Sequence, residues 1–426
     1  MSSAFETISM IGLGYIGLPT AAMFASRKKN VIGVDIDQDA VDTINSGQTH
    51  IVEPDLDMIV AAAVNQGYLR AATTVQPADA FLIAVPTPFC GDHEPDLTHV
   101  VAAARAIAPV LKKGDLVILE STSPVGTTES LAAWLAEERP DLKIPLGPGD
   151  EADINLAYCP ERVLPGRVIH ELVSNDRIIG GITRACSARA IALYQTFVQG
   201  ECIETGSRTA ELCKLTENAF RDVNIAFANE LSVICGKLGI DVWELIALAN
   251  RHPRVNVLRP GPGVGGHCIA VDPWFIVHGA PEQARLIRAA REVNDDKPRW
   301  VLDQVKSAVG SYLAAHPDRK ESDVTIACFG LAFKPDIDDL RESPALDIAA
   351  GIAKTLSSRV IVVEPNISAL PASLDKGELR TPQDALLRSQ IVVMLVNHKP
   401  FLALKKTLFA DKVIVDTCGY LGATGR

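Results

Sequence analysis

The sequence predicts an α/β protein with two parallel-sheet regions and a helical stretch between them. Three observations carry this. Over residues 1–204, short β-branched runs alternate with helical stretches: Ile8–Ile11, Val31–Val34, Phe81–Val85, Leu116–Leu119 and Leu156–Tyr158. That is the pattern of βαβ units. Residues 205–305 read mostly as helix, and Thr209–Leu238 would make one helix of roughly 45 Å. Residues 306–426 return to apolar runs, Val324–Phe329, Val360–Val363, Ile391–Val396 and Val413–Val415, after a polar connection at Ala315–Asp323 that contains Pro317.

Composition bounds the function. A chain of 426 residues is long enough for two or three domains. Its net charge of −11 argues against a general phosphate-backbone binder, so no nucleic-acid partner is expected. An anionic ligand would have to be met by local Arg and Lys groups. The nine cysteines are scattered, with no C-x-x-C pair. This predicts reduced thiols in a cytoplasmic setting, with neither a disulfide framework nor a metal site. The first predicted strand follows the start directly, so no signal peptide is expected. The apolar run Val100–Leu111 is interrupted by Arg105, and no membrane insertion is expected.

In the first block, Gly12-Leu13-Gly14-Tyr15-Ile16-Gly17 lies between a predicted strand and a predicted helix, with Pro19 early in that helix. Asp35 ends the next strand. In this context the glycines predict a Rossmann-type dinucleotide site, with the pyrophosphate against the helix N-terminus. The Asp35 carboxylate would accept from the ribose hydroxyls and repel a 2′-phosphate. No Arg or Lys follows it within Ile36–Thr43, so NAD is favoured over NADP. Polar segments follow later strands of the same sheet: Pro86-Thr87-Pro88, Glu120 to Gly126, and Cys159 to Val163. Ligands of such sheets bind outside the carboxyl ends of the strands.

In the second block, Lys214, Asn218 and Arg221 share one face of the long helix. Leu212, Leu215, Ala219, Val223, Ala226 and Phe227 make the rest of that helix apolar. A lysine buried there needs a partner or a task, and burial would suit it to accepting a proton. The helix itself is either a domain-spanning dimer surface or an element buried within one domain. The cationic turn Arg251-His252-Pro253-Arg254 is either solvated surface or an anion clamp. Next comes Gly261-Pro262-Gly263-Val264-Gly265-Gly266-His267-Cys268, a glycine loop ending in a cysteine. Cys268 is either a nucleophile or a small apolar filler. In the third block Lys334 and Arg341 flank Asp336, Asp338 and Asp339, as surface ion pairs or facing a nucleotide.

Taken in order, Gly12-x-Gly14-x-x-Gly17, Ser121-Thr122-Ser123-Pro124-Val125-Gly126, Pro160-Glu161-Arg162, Lys214-Leu215-x-x-Asn218, Gly263 to Pro273 and Phe329 to Pro335 resemble the UDP-glucose/GDP-mannose dehydrogenase family along nearly the whole chain. The segments Asn250 to Asn256 and Pro160 to Gly166 are similar to its branch acting on UDP-N-acetyl-D-mannosamine. The resemblance implies an N-terminal NAD-binding Rossmann domain, a central helical dimerisation region and a C-terminal Rossmann-like nucleotide-sugar-binding domain. It implies a homodimer that oxidises a sugar C6 alcohol to a carboxylate with NAD. Cys268 would add to the aldehyde, Lys214 would exchange protons, Asn218 would hold the reacting oxygen, and Thr122, Glu161 and Asp272 would handle water. Arg162, Val163, Lys214, Asn218, Arg221, His252, Arg254, Gly265, Lys334 and Arg341 would hold the substrate. Gly12, Gly14, Tyr15, Ile16, Gly17, Asp35, Thr87 and Thr122 would hold the cofactor. The chain departs from the family after Val415-Asp416, where Cys418 replaces a customary basic residue, and Lys412 is the candidate substitute.

The sugar itself stays open, with UDP-glucose or UDP-N-acetylglucosamine as the alternative substrate, and two readings from other classes compete. One is a two-electron hydroxyacid-type dehydrogenase in which Cys268 is packing. The other is a non-catalytic NAD-binding regulator.

Overall fold

The computed structural model describes residues 5–91, 93–164, 166–266 and 269–421. They form two compact units: residues 1–217 with 278–280, and residues 218–277 with 281–426.

The first unit begins β1 (Thr7–Ile11), α1 (Gly17–Ser26), β2 (Asn30–Val34), α2 (Gln38–Asn45), α3 (Leu56–Asn65), β3 (Leu69–Ala72) and β4 (Ala80–Ile83). A small ribbon follows, β5 (Phe89–Cys90) with β6 (Glu94–Pro95), then α4 (Thr98–Ile107), β7 (Leu116–Leu119) and α5 (Thr127–Glu138). It continues through β8 (Asn155–Tyr158), α6 (Val168–Ser174), β9 (Arg177–Gly181), α7 (Arg184–Tyr194), β10 (Cys202–Gly206) and the start of α8 (Ser207–Leu238). The sheet order is β10-β9-β8-β7-β4-β1-β2-β3. Side-chain alternation feeds a core on each face: Ile8 and Met10 pack into one, Ile11 into the other.

The sequence reading expects a parallel sheet, and the last two strands depart from it. β9 runs antiparallel to β8, and β10 is parallel to β9. Neither has a long apolar run. β9 ends in Gly180 and Gly181, where a Cβ would lie 2.5 Å from the Gly206 carbonyl oxygen and 2.4 Å from the Ser187 nitrogen. Close backbone approach, rather than β-branched packing, makes this edge.

The second unit holds the rest of α8, then α9 (Val242–Ala249), most of α10 (Asp272–Gly279) and α11 (Arg285–Ala315). Its sheet is β11 (Thr325–Phe329), β12 (Arg359–Val363), β13 (Glu378–Leu379), β14 (Ile391–Met394) and β15 (Val413–Asp416), all parallel in the order β13-β12-β11-β14-β15. The helices α12 (Pro344–Thr355), α13 (Pro382–Arg388) and α14 (Lys399–Leu402) intervene. Val301, Val305 and Val309 of α11 join Ile326, Cys328 and Ile348 in one core.

A buried polar ladder joins α8 to α11. Arg291 Nη1 donates to Asp222 Oδ1 at 2.6 Å, Asn294 Nδ2 to the same oxygen at 2.8 Å, and Asn229 Nδ2 to Asn294 Oδ1 at 2.9 Å. Lys297 donates to Ser232 and lies over the Trp300 ring. Burial pushes the Lys297 ammonium down to about 7. The ladder also reaches the glycine loop, where the Gly261 N–H donates to Asn229 Oδ1 at 2.8 Å.

Candidate active site

In the first unit the three fingerprint glycines have separate jobs. Gly12 has φ +90°, and a Cβ there would lie 2.5 Å from the Ala84 carbonyl oxygen. A Cβ on Gly17 would meet the Gly12 carbonyl oxygen at 1.8 Å. These two let β1, β4 and α1 approach each other. Gly14 has open space around its Cβ position, as a residue against a pyrophosphate requires. Ile16 offers α1 no side-chain cap, so the positive end of the helix is available to an anion. Tyr15 is exposed and Ile16 half-buried beside it. Asp35 is half-buried at the end of β2; its Oδ2 accepts the Leu13 N–H at 2.8 Å and its Oδ1 the Asp37 N–H at 3.1 Å. The open Gly14, the uncapped helix end and the acid at the strand end fit NAD.

Two strands along, Thr87 Oγ1 donates to the Thr122 carbonyl oxygen at 2.5 Å, tying the ends of β4 and β7 together. Lys214 is buried on α8, and its Nζ lies 3.7 Å from Glu161 Oε2. Glu161 also accepts the Val163 N–H. Burial pushes the Glu161 carboxyl up, against the opposing pull of Lys214 and Arg177. Arg162 is engaged by the protein itself: it pairs with Glu217 at 2.7 Å and donates to the Asp176 carbonyl oxygen at 3.1 Å.

Behind Glu161 lies a buried cluster that sequence reasoning did not assemble. Tyr194 donates its hydroxyl proton to Glu120 Oε1 at 2.5 Å, and the Arg177 guanidinium sits 4.7 Å from the Tyr194 ring centroid. Burial pushes the Glu120 carboxyl up to about 7, opposed by the Arg177 charge. Arg177 and Tyr194 lie outside any motif; only their fold neighbours show what they do.

In the second unit Asn218 Nδ2 donates to Asp272 Oδ2 at 2.5 Å, and Asp272 is buried in the first turn of α10. Arg221, His252, Arg254 and Lys334 are exposed. Arg341 makes a two-pronged pair with Asp339, at 2.9 and 2.7 Å. The glycine loop packs against the segment that carries Lys334 and Arg341. A Cβ on Gly265 would meet the Glu342 carbonyl oxygen at 2.2 Å, and one on Gly266 would meet the Phe333 ring at 2.8 Å. A Cβ on Gly263 would strike Pro344 at 2.9 Å. These glycines are required by the protein's own backbone, which the sequence reading did not anticipate. Cys268 and His267 lie outside the described residues.

Lys412, the candidate substitute for the base missing at Cys418, stands at the other end of β15. It pairs with Asp411 at 3.1 Å and precedes β15, whereas Cys418 follows it. A strand of that length separates its two ends by roughly 13 Å. Among the described residues, Arg259 is a cation near Cys418: its guanidinium lies over the Trp243 ring and donates to the Gly419 carbonyl oxygen at 3.3 Å.

Models of the UDP-glucose/GDP-mannose dehydrogenase family match three successive segments: its NAD binding domain over residues 6–198, its central domain over 208–296 and its UDP binding domain over 327–423. The chain belongs to this family. It is 66% identical over 417 residues to the UDP-N-acetyl-D-mannosamine dehydrogenase of Yersinia pestis, covering 98% of this chain and 99% of that one. It is 63% identical over 419 residues to an NDP-N-acetyl-D-galactosaminuronic acid dehydrogenase of Ralstonia solanacearum, covering 98% of this chain and 97% of that one. Among solved structures it resembles the UDP-D-ManNAc dehydrogenase of Pyrococcus horikoshii, with TM-score 0.87, 36% identity and coverage of 98% of this chain and 96% of that one. Membership makes the chain an NAD-dependent nucleotide-sugar dehydrogenase, with the α/β architecture expected from its sequence. Among the described residues no helix is long and apolar enough to cross a membrane.

Proposed function

We propose that this protein oxidises the C6 hydroxyl of UDP-N-acetyl-D-mannosamine to the carboxylate, consuming two NAD⁺ and one water per sugar. The 66% identity to UDP-N-acetyl-D-mannosamine dehydrogenases supports the sugar, and the observation supporting the oxidation chemistry most directly is the pair of anchored polar groups on α8. Lys214 is held by Glu161, and one turn later Asn218 is held by Asp272, four residues beyond Cys268 in sequence. The Gly12–Gly17 loop and Asp35 would hold NAD⁺, which would supply the hydride acceptor.

Lys214 takes the alcohol proton as the first hydride leaves, and Asn218 hydrogen-bonds the carbonyl oxygen that results. The Cys268 thiolate adds to the aldehyde carbon. The ammonium of Lys214 stabilises the oxyanion of that adduct. Loss of the second hydride leaves a thioester on Cys268. Water, positioned by Glu161, Thr122 and Asp272, attacks the thioester, and the acid leaves with the thiolate restored. A Glu161 carboxyl raised by burial suits proton exchange with that water.

Arg162, Val163, Arg221, His252, Arg254, Gly265, Lys334 and Arg341 would bind the substrate. For Arg162 and Arg341 this requires exchanging Glu217 and Asp339 for the ligand. Phe220, Phe227 and Ile234 are exposed at seven-residue spacing on α8, which supports a homodimer built along that helix. The eight described cysteines are free, which supports a reducing, cytoplasmic setting. The uronate product suits surface-polysaccharide synthesis of the enterobacterial common antigen type.

The deciding experiment is a panel of UDP-sugars (N-acetylmannosamine, N-acetylgalactosamine, N-acetylglucosamine and glucose) with NADH counted per sugar consumed. Two NADH with the N-acetylmannosamine sugar preferred is the expected result. One NADH per sugar, together with a fully active Cys268→Ala, would establish the two-electron reading instead. Preference for the galactosamine sugar would move the assignment to the Ralstonia-like activity.

A further inference from the structure

The second unit contains a buried histidine–glutamate pair, His398 with Glu364, that no step of the mechanism uses. His398 Nε2 lies 2.9 Å from Glu364 Oε2, and both side chains are fully buried. The other ring nitrogen, Nδ1, lies 2.9 Å from the backbone nitrogen of Asp336. A backbone N–H can only donate, so Nδ1 is the acceptor and carries no proton. The proton is then on Nε2 and points at the carboxylate. One neutral tautomer satisfies both contacts; the other tautomer and the imidazolium each lose the Asp336 bond.

Glu364 spends its remaining capacity on the same loop. Its Oε2 also accepts the Leu331 N–H at 2.7 Å and the Ala332 N–H at 3.2 Å, while Oε1 accepts from Asn366. The pair therefore grips the backbone two residues before Lys334 and two residues after it. The grip has strain to hold: Asp336 is a non-glycine residue at φ +64°. Its Oδ1 accepts the Lys399 N–H at 2.8 Å, and its other oxygen faces Lys399 Nζ at 3.5 Å. Within the gripped segment, Phe333 presents the ring against which Gly266 packs.

We infer that His398, as the Nε2-protonated neutral tautomer, is a positioning residue: with Glu364 it sets the place of Lys334 and, through Phe333, of the Gly265–Gly266 backbone that leads to Cys268. This rests on the substrate and nucleophile roles proposed above for Lys334 and Cys268. The pair touches no reacting atom. Its consequence is a site whose UDP-sugar contacts depend on a histidine that acts only through backbone.

The test has arms that do not depend on one another. In the native protein near neutral pH, long-range ¹⁵N–¹H spectra should show His398 with Nδ1 unprotonated and Nε2 protonated; a protonated Nδ1 overturns the inference. Amide exchange at Leu331, Ala332 and Asp336 should accelerate in His398→Phe while strand β11 stays protected; unchanged exchange at all three also overturns it. In kinetics, His398→Phe should raise KM for UDP-N-acetyl-D-mannosamine about tenfold, with KM for NAD unchanged, as expected for one buried charge-assisted hydrogen bond. His398→Gln keeps one acceptor and one donor and should recover most of that loss. An unchanged UDP-sugar KM in His398→Phe refutes the positioning role. If the native enzyme does not turn over the sugar at all, the proposed reaction fails, and the spectrum and the exchange data still decide the pair.

Discussion

The two sheets repeat one backbone device and use it in opposite ways. In each, a glycine follows the sheet's first strand in chain order, β1 or β11, with nearly the same left-handed φ, +90° at Gly12 and +92° at Gly330. Each donates its N–H at 2.8 Å to the end of the neighbouring strand, Gly12 to Val34 and Gly330 to Val363. Each neighbouring strand is followed by an acid that accepts the next N–H in the loop, Asp35 from Leu13 and Glu364 from Leu331. There the likeness ends. Asp35 stays half-buried beside an open Gly14, so a ribose can reach it. Glu364 is buried, and the His398 and Asn366 side chains and three backbone N–H groups, of Leu331, Ala332 and Asn366, occupy its oxygens. The first loop is a cradle and the second a support. The same strand–loop–strand geometry therefore does not by itself make a dinucleotide site; the chemistry around the acid does.

The largest effect that would break this comparison concerns the glycines. Gly12→Ala and Gly330→Ala each force a Cβ into atoms 2.5 Å or closer, at Ala84 and Val396, with a left-handed φ besides. Each should cost about 3 kcal/mol or more of stability in urea unfolding. Gly14→Ala, with open space at its Cβ, should leave stability nearly unchanged while NAD affinity falls. If Gly14→Ala destabilises as much as Gly12→Ala, the open-cradle description is wrong.

A second test compares two buried acids. His398 and backbone N–H groups hold the Glu364 carboxyl below its ordinary value although burial would raise it. Its stabilising contribution is present above the ordinary carboxyl range and is lost as pH falls through its folded value. Glu120 has the opposite sign. Raised by burial from 4.5 to about 7, it contributes most below its unfolded pKa and loses that contribution as pH rises to its folded value. Over that window the loss is about 3 kcal/mol. Glu120→Gln should therefore gain stability relative to the native chain between mildly acidic and neutral pH, and Glu364→Gln should not. Parallel curves for Glu120→Gln and the native chain would contradict the assignment.

The smallest expected effect separates cofactor recognition from support. Asp35→Asn should narrow the NAD over NADP preference about tenfold with little change in melting temperature. Glu364→Asn should leave that preference unchanged and lower the melting temperature. A preference unmoved by Asp35→Asn would remove Asp35 from cofactor selection.

Much of this molecule is legible before folding. The interior strands β7, β12 and β14 are dense in Val, Ile and Leu, and the fingerprint glycines announce themselves by spacing. The long helix is predicted to within a few residues, Thr209–Leu238 against Ser207–Leu238, because its periodicity is sustained. The edge strands β3 and β10, and β9 beside β10, are not legible: they are short, glycine-containing or half-exposed, and pairing rather than side-chain pattern creates them. Lys214 is suspect from sequence because an apolar helix must account for a lysine; its partner Glu161 lies in a distant motif, and only the fold gives the 3.7 Å between them. Arg177, Tyr194, Glu364 and His398 have no motif at all.

The sequence by itself determined the α/β class, the cofactor preference and the chemical repertoire, since those follow from local periodicity, glycine spacing and the identities of a few side chains. Tertiary structure decided which groups are consumed by the protein and which are left for a ligand. It tied Arg162 to Glu217, closed Glu364 with His398, left Gly14 open, and placed Arg259 rather than Lys412 near Cys418. The physical reason is that desolvation and hydrogen-bond satisfaction depend on neighbours brought together from distant parts of the chain, which no local pattern encodes.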